Sequence, residues 1–170
     1  MKHLKKHFIF EDLQLYKIED FFQPLEDKDY KISVYKNGMD ENIIDINIVG
    51  PEYKSNEFKL DEQEQFLKNR VEKLIPILLQ YRYSMFEIAS GVRRFLDNTH
   101  GHTSGADYYK KYVTGVDDKL HVLSVDNIDM VYRFRNDNYV DYDNYKYMIK
   151  FDFKIKPLNY DRMLRNGAKK

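Results

Sequence analysis

Two histidines stand two apart in His100-Gly101-His102, inside a polar stretch that also offers Asp97, Thr99, Thr103, Ser104 and Asp107. Imidazole nitrogens beside a carboxylate are the donor set that first-row metal ions take, so His100, His102 and Asp107 are the candidate metal ligands. The pattern falls short of a signature, because His-x-His is common and no third ligand has a diagnostic spacing. A polar helix-exit loop, with either imidazole bonded to nearby backbone, explains the same residues. Ser104 lies near these histidines but lacks the Gly-x-Ser-x-Gly elbow of nucleophilic hydrolases. Gly101 and Gly105 do not form a phosphate loop: Lys-Ser/Thr does not follow and no strand precedes.

Asp137, Asn138, Asp141, Asp143 and Asn144 crowd a second polar stretch whose oxygens suit calcium. The EF-hand spacing fails there, with no central glycine and no closing glutamate, and Asp and Asn are also the ordinary residues of hairpin loops. A basic-aromatic run, Tyr108-Tyr109-Lys110-Lys111-Tyr112, has the types that stack bases and neutralise phosphates in single-stranded nucleic-acid binders. Nucleic acid is not the favoured partner, because such domains usually carry a strongly basic footprint and this chain does not.

The last chemistry-bearing set is a row of lysines. In Tyr145–Lys156, Tyr145, Tyr147, Ile149, Phe151, Phe153 and Ile155 alternate with Lys146, Met148, Lys150, Asp152, Lys154 and Lys156. Alternation of period two puts the aromatic set on one face of a strand and the lysines on the other. Twelve such residues span roughly 40 Å, whereas a compact chain of this size has a radius of gyration of roughly 15 Å. The strand therefore crosses the whole body, bends at a bulge, or projects past its sheet. Lys146, Lys150, Lys154 and Lys156, with Arg162 and Arg165 beyond them, are the candidate partner-binding residues. The bland alternative is that these lysines face water or guard a sheet edge.

The elements that must position these residues follow from periodicity. His7–Phe10 reads as a short strand, and Leu15, Ile18, Phe21 and Phe22 fall at helical spacing until Pro24 stops the pattern. Tyr30–Tyr35 and Asn42–Val49 read as two strands of a hairpin turning at Asn37-Gly38. From Asp61 an acidic cap with Glu64 three residues on has the form of a capping box. Leu67, Val71, Leu74, Ile75, Leu78, Met85, Phe86 and Ala89 then recur at three and four, which predicts a helix kinked or broken near Pro76 and running to about Asp97. A short helix is expected around Asp107–Tyr112. His121–Val125 and Ile128–Arg135 flank Asp126-Asn127 as a second hairpin, and a loop over Asn136–Asn144 leads into Tyr145. The fold class is α+β: an antiparallel sheet of two hairpin or meander units packed on a long, Pro-kinked central helical segment.

Length and composition agree. At 170 residues, 42% hydrophobic and 33% charged, the chain predicts one folded domain over 1–170 with a basic C-terminal arm at about 157–170. Zero cysteines exclude disulfides, thiolate metal sites and cysteine nucleophiles, and no cofactor is expected. No apolar run approaches the roughly 20 residues of a membrane span, so no membrane partner is expected. The basic start Met1–His7 meets Glu11 and Asp12 instead of an apolar signal core, which predicts a cytoplasmic location, or host cytoplasm or virion if a phage encodes the chain. The bias to Lys, Asn, Ile and Tyr is typical of AT-rich genomes.

The formal net charge of zero conceals an uneven distribution. Residues 1–144 hold 20 Lys/Arg against 26 Asp/Glu, and residues 145–170 hold eight against two, which is −6 against +6. An acidic body with a basic tail can steer one copy towards another at short range. These features predict a non-enzymatic structural or assembly protein, such as a phage virion neck, connector or tail-ring subunit with homo- or hetero-oligomeric contacts. The alternative is a small inhibitor or adaptor that binds a nuclease or other defence protein, and a third is a metal-dependent enzyme using the His100/His102 loop.

Overall fold

The computed structural model describes residues 15–54, 57–96, 107–126 and 145–167, and at 15–16, 94–96, 107–109 and 145 it describes the backbone alone. In chain order the elements are α1 (Leu15–Glu26), β1 (Lys31–Lys36), β2 (Ile44–Val49), β3 (Tyr53–Lys54), α2 (Leu60–Glu72) and α3 (Leu74–Gln80). They continue with β4 (Tyr83–Leu96), β5 (Asp107–Thr114), β6 (Leu120–Val125), β7 (Tyr145–Pro157) and α4 (Tyr160–Gly167). All seven strands join one antiparallel sheet in the order β1-β2-β7-β4-β5-β6, and β3 pairs with the N-terminal part of β7 beyond the end of β2. The class is α+β.

The strand at 145–157 is central. β4 flanks it from Tyr83↔Pro157 to Leu96↔Tyr145, and β2 then β3 flank its other side. Nothing of it projects past the sheet, and the irregularity that its length requires lies in its partner. Between Phe86 and Ala89, β4 advances three residues while β7 advances two. Glu87 takes the extra place with φ 48°, a left-handed conformation rarely adopted by a side chain of this size. This β-bulge lets so long a pair stay in register while bending.

The bulge also accounts for a correction. The helical pattern does not run on to Asp97: it ends at Gln80, and residues 83–96 form a strand. Inward residues of a bulged strand skip from Met85 to Ile88 and then resume Ser90, Val92. That one three-residue step imitates helical spacing. Arg82, at φ 62°, makes the turn between α3 and β4.

The kink near Pro76 is present, as a break between α2 and α3 at Lys73. Pro76 lacks the N–H that would bond the carbonyl of Glu72, so the helix parts one turn upstream and Pro76 sits in the first turn of α3. Pro24, by contrast, does not stop α1, which continues to Glu26. Leu25 beyond it is buried, and that packing outweighs one lost bond. The expected capping box does not form either. Lys59 precedes the helix without a side-chain cap bond, and Glu64 is turned inward. Asp107–Tyr112 is strand β5, not a short helix, because it completes the sheet between β4 and β6. The segments expected at His7–Phe10 and Ile128–Arg135 lie outside the described residues.

Helices α1 to α3 cover one face of the sheet. Ile18, Phe22 and Leu25 of α1, Leu67 and Val71 of α2, and Leu74, Ile75 and Leu78 of α3 meet Ile46, Ile48, Ile149, Phe151, Phe153 and Ile155 in one buried cluster. The aromatic row of β7 is its middle: Phe22 and Phe153 lie 6.4 Å apart between ring centroids, and Tyr112 stacks on Phe151 at 6.0 Å. Side chains of 150–250 Å² at these positions supply much of the apolar burial that opposes chain entropy. No described helix is long and apolar enough to cross a membrane.

Candidate interaction surface

The second face of the sheet carries no helix among the described residues. Strand alternation places Lys146, Met148, Lys150, Asp152, Lys154 and Lys156 of β7 there, in line with Asp45 and Asn47 of β2 and Ala89 and Gly91 of β4. The four candidate lysines thus share one face, in the middle of the sheet and not at its edge. Lys156 and Lys150 stand opposite the small residues Ser84 and Gly91, which leave room for their stems to lie on the sheet, whereas Lys154 is opposite Phe86 and Lys146 opposite Phe95.

Each ammonium has one within the chain. Lys146 is 3.5 Å from Glu52, Lys150 is 3.3 Å from Asp152 and Lys154 is 2.7 Å from Glu87. Lys156 lies over the rings of Phe86, at 4.6 Å, and Tyr160, at 5.6 Å. The bulge is what delivers Glu87 to Lys154: it swings this carboxylate onto the open face and returns Ile88 to the core. The hydrogen bond from Lys154 to Glu87 raises the lysine above its ordinary pKa. Beside this pair is a shallow depression of about 470 Å³ whose polar lining includes Tyr35, Asp45, Asn47, Glu87, Asp152 and Lys154. Asn47 donates to the Tyr35 hydroxyl at 2.8 Å, and Asn37 donates to Asp45 at 2.8 Å. The surface is a lattice of mutually paired charges.

Arg162 and Arg165 stand apart from that lattice, on α4. Tyr160 anchors the helix by donating to Asp40 at 2.5 Å, and the backbone N–H of Leu158 donates to Arg82 O at 2.9 Å. The Tyr160–Asp40 hydrogen bond holds Asp40 below and Tyr160 above their ordinary pKa values. Tyr160, Met163 and Leu164 fall at i, i+3 and i+4 on one side of α4, with Asp161, Arg162 and Arg165 on the other. No residue of α4 is buried, so Met163 and Leu164 meet solvent together with Leu158.

The basic-aromatic run is divided by its strand. Lys110 and Tyr112 point to the helix side, where both bond Glu64, Lys110 at 3.1 Å; Lys111 points to the open face and pairs with Asp126 at 3.4 Å. Adjacent residues facing opposite ways do not make one stacking platform. His100, His102 and Ser104 lie outside the described residues, as do Asp137–Asn144; Asp107 opens β5 but its side chain is not described. Among the described residues no three His, Asp or Glu side chains are arranged to hold a metal ion.

Two features escaped the sequence. One is the inward pair Glu64 and Glu72, eight apart on α2. Glu64 accepts from Tyr112 and Lys110, and Glu72 accepts from the backbone N–H of Leu120 at 2.9 Å, so one helix holds the β5–β6 hairpin at two points. Their signal was spacing: Glu64 falls on the stripe Leu60, Leu67, Val71. The other is a set of apolar side chains left exposed along that hairpin, Val113, Val116, Val122, Leu123 and Val125, with Val122 and Val125 on the helix side and Val113 on the opposite one. Compared with protein-family models, curated proteins and solved structures, the chain matches none.

Proposed function

We propose that this protein is a non-enzymatic assembly or adaptor subunit that works by contact with other protein chains, of the kind that builds a neck, connector or tail ring. One observation carries the reading. Of the twelve exposed large hydrophobic side chains among the described residues, eight fall in two short stretches, 113–125 and 158–164. Exposed apolar residues scattered singly need no explanation, but Met163 and Leu164 share one side of α4, and apolar residues grouped in that way mark contact surfaces. The polar lattice on the open sheet face adds a patterned surface from which specificity can come.

Light scattering and native mass spectrometry across a wide concentration range test the reading. A mass that is a multiple of the chain's 20.6 kDa supports it. A plain monomer at the highest concentration counts against self-assembly. The second reading, a small inhibitor that covers a nuclease or other defence protein, is favoured by the same sheet face, which carries no helix among the described residues. It is supported if the monomer instead binds one stoichiometric partner of that class.

A further inference from the structure

We infer that Asn37 is a self-modification site, where the folded chain converts its own side-chain amide to a carboxylate and thereby loosens the anchor of α4. The chain has two Asn-Gly dipeptides, Asn37-Gly38 and Asn166-Gly167. A glycine after asparagine leaves its backbone nitrogen unshielded, because no Cβ obstructs its approach to the asparagine side chain. Asn166-Gly167 closes α4, and a helical ψ holds that nitrogen away from the Asn166 Cγ. Asn37-Gly38 instead opens the turn between β1 and β2. Gly38 is exposed there, and its N–H donates to none of the described residues. The Asn37 side chain is held at both ends: its Oδ1 accepts the N–H of Met39 at 2.9 Å and of Asp40 at 3.2 Å, and its Nδ2 donates to Asp45 at 2.8 Å. Two of these bonds fall on the oxygen that gains negative charge when Cγ is attacked, the arrangement of an oxyanion hole. The third falls on the nitrogen that leaves.

The nitrogen of Gly38 bonds to Cγ, the Cγ–Nδ2 bond breaks, and Nδ2 departs as ammonia with the proton that Gly38 gives up. Water then opens the cyclic imide at one of its two carbonyls, which leaves aspartate or iso-aspartate in place of Asn37. Either product removes the donor to Asp45 and sets a second carboxylate beside it, so a hydrogen bond gives way to like charges. Iso-aspartate also lengthens the backbone by a methylene, in the turn that carries Asp40. Asp40 is the acceptor that ties Tyr160, and with it α4, to the body.

Ageing the folded protein tests this. The parent is kept for several days in mildly alkaline buffer at body temperature and digested with trypsin, which frees the peptide Asn37–Lys54 and a peptide beginning at Asn166. Mass spectrometry should show the gain of an amide becoming an acid in Asn37–Lys54 first, as two isomers that chromatography separates. Gly38 has nothing within 4 Å of the point where a Cβ would stand, and its φ lies outside the left-handed region. Gly38→Ala therefore keeps the turn while obstructing the attack, and the product is lost over the same interval. Limited proteolysis within 158–167 is faster in the aged parent than in the fresh one, and fresh Asn37→Asp reproduces part of that gain. If Asn37–Lys54 keeps its mass in the folded chain while the urea-unfolded chain converts, the turn shields the amide and the inference falls. It falls equally if the peptide beginning at Asn166 converts as fast, since the dipeptide and not the turn then decides. Conversion at Asn37 with unchanged cutting within 158–167 removes the link to α4.

Discussion

The attachment of the β5–β6 hairpin to α2 lends itself to a quantitative test. Glu64 is 5% exposed and accepts from the Tyr112 hydroxyl, itself buried, and from Lys110. Glu64→Ala leaves that hydroxyl without an acceptor inside the core, at about 1–3 kcal/mol. It also separates Lys110 from its counter-ion. A fully buried pair broken in this way costs about 3–5 kcal/mol. The Lys110 side chain is 27% exposed, however, so its ammonium reaches water and the share from the ion pair falls to about 1 kcal/mol. The total is about 2–4 kcal/mol, equivalent to roughly 4–16 °C in melting temperature for a chain of this size. Tyr112→Phe removes only the donor, because Glu64 keeps Lys110, and costs about 1 kcal/mol. Urea unfolding of the parent, both single variants and the double variant gives the coupling, expected at about 1 kcal/mol. Hydrogen exchange should show the loss first in β5 and β6 amides, since the helix remains packed by Leu67 and Val71. A Glu64→Ala cost below about 0.5 kcal/mol, the value of an ordinary surface site, would refute the idea that this carboxylate holds the hairpin.

Three further outcomes follow from the geometry. Gly50→Ala would put a Cβ 2.7 Å from Ile149 Cγ2, in the centre of the core where Ile149 has no room to turn, and destabilises by about 1–3 kcal/mol in the same unfolding assay. At the bulge, Glu87→Gly and Glu87→Ala both lose the exposed pair with Lys154, but only glycine relieves the left-handed backbone. Glycine is therefore the more stable of the two by about 1 kcal/mol, measured as the difference in urea midpoint at constant slope. The Tyr160–Asp40 bond sets a pH window for α4. Asp40 is held low, so its contribution is present above the usual carboxylate range and is lost as pH falls through the depressed value. Tyr160 is held high, so its contribution is present below the usual phenol range and is lost as pH rises through the raised value. Limited proteolysis within 158–167 should accelerate at both extremes, and Tyr160→Phe should be cut quickly at every pH in between.

How much of this was legible in the chain itself depended on whether one period dominated locally. Tyr145–Lys156 was plain, because its aromatic and charged residues alternate without interruption, and β7 spans Tyr145–Pro157. The hairpin at Asn37-Gly38 was equally plain, with β1 and β2 within two residues of the expected ends. β4 was misread because its bulge shifts the alternation by one residue, and a bulge is settled by pairing between distant strands. Asp107–Tyr112 was misread because Lys110 sits on the inward face, where Glu64, 46 residues earlier, makes it acceptable. The lysine row was found by spacing. Its carboxylate partners were not, since Glu52 and Glu87 reach it from other strands and turns.

The place of β7 in the sheet has a consequence for the way the chain is made. During synthesis β1–β2 and β4–β5–β6 emerge long before residues 145–157, yet neither unit contacts the other through the sheet except by way of that strand. Until it arrives, β2 and β4 each present an open, apolar edge, the kind of surface on which nascent chains aggregate. Closure then joins partners 101–111 residues apart at β2 and 49–74 apart at β4, which sequence separation makes slow. A ribosome-bound chain stopped before Tyr145 should therefore depend on a chaperone to remain soluble, and release of the last strand should remove that dependence.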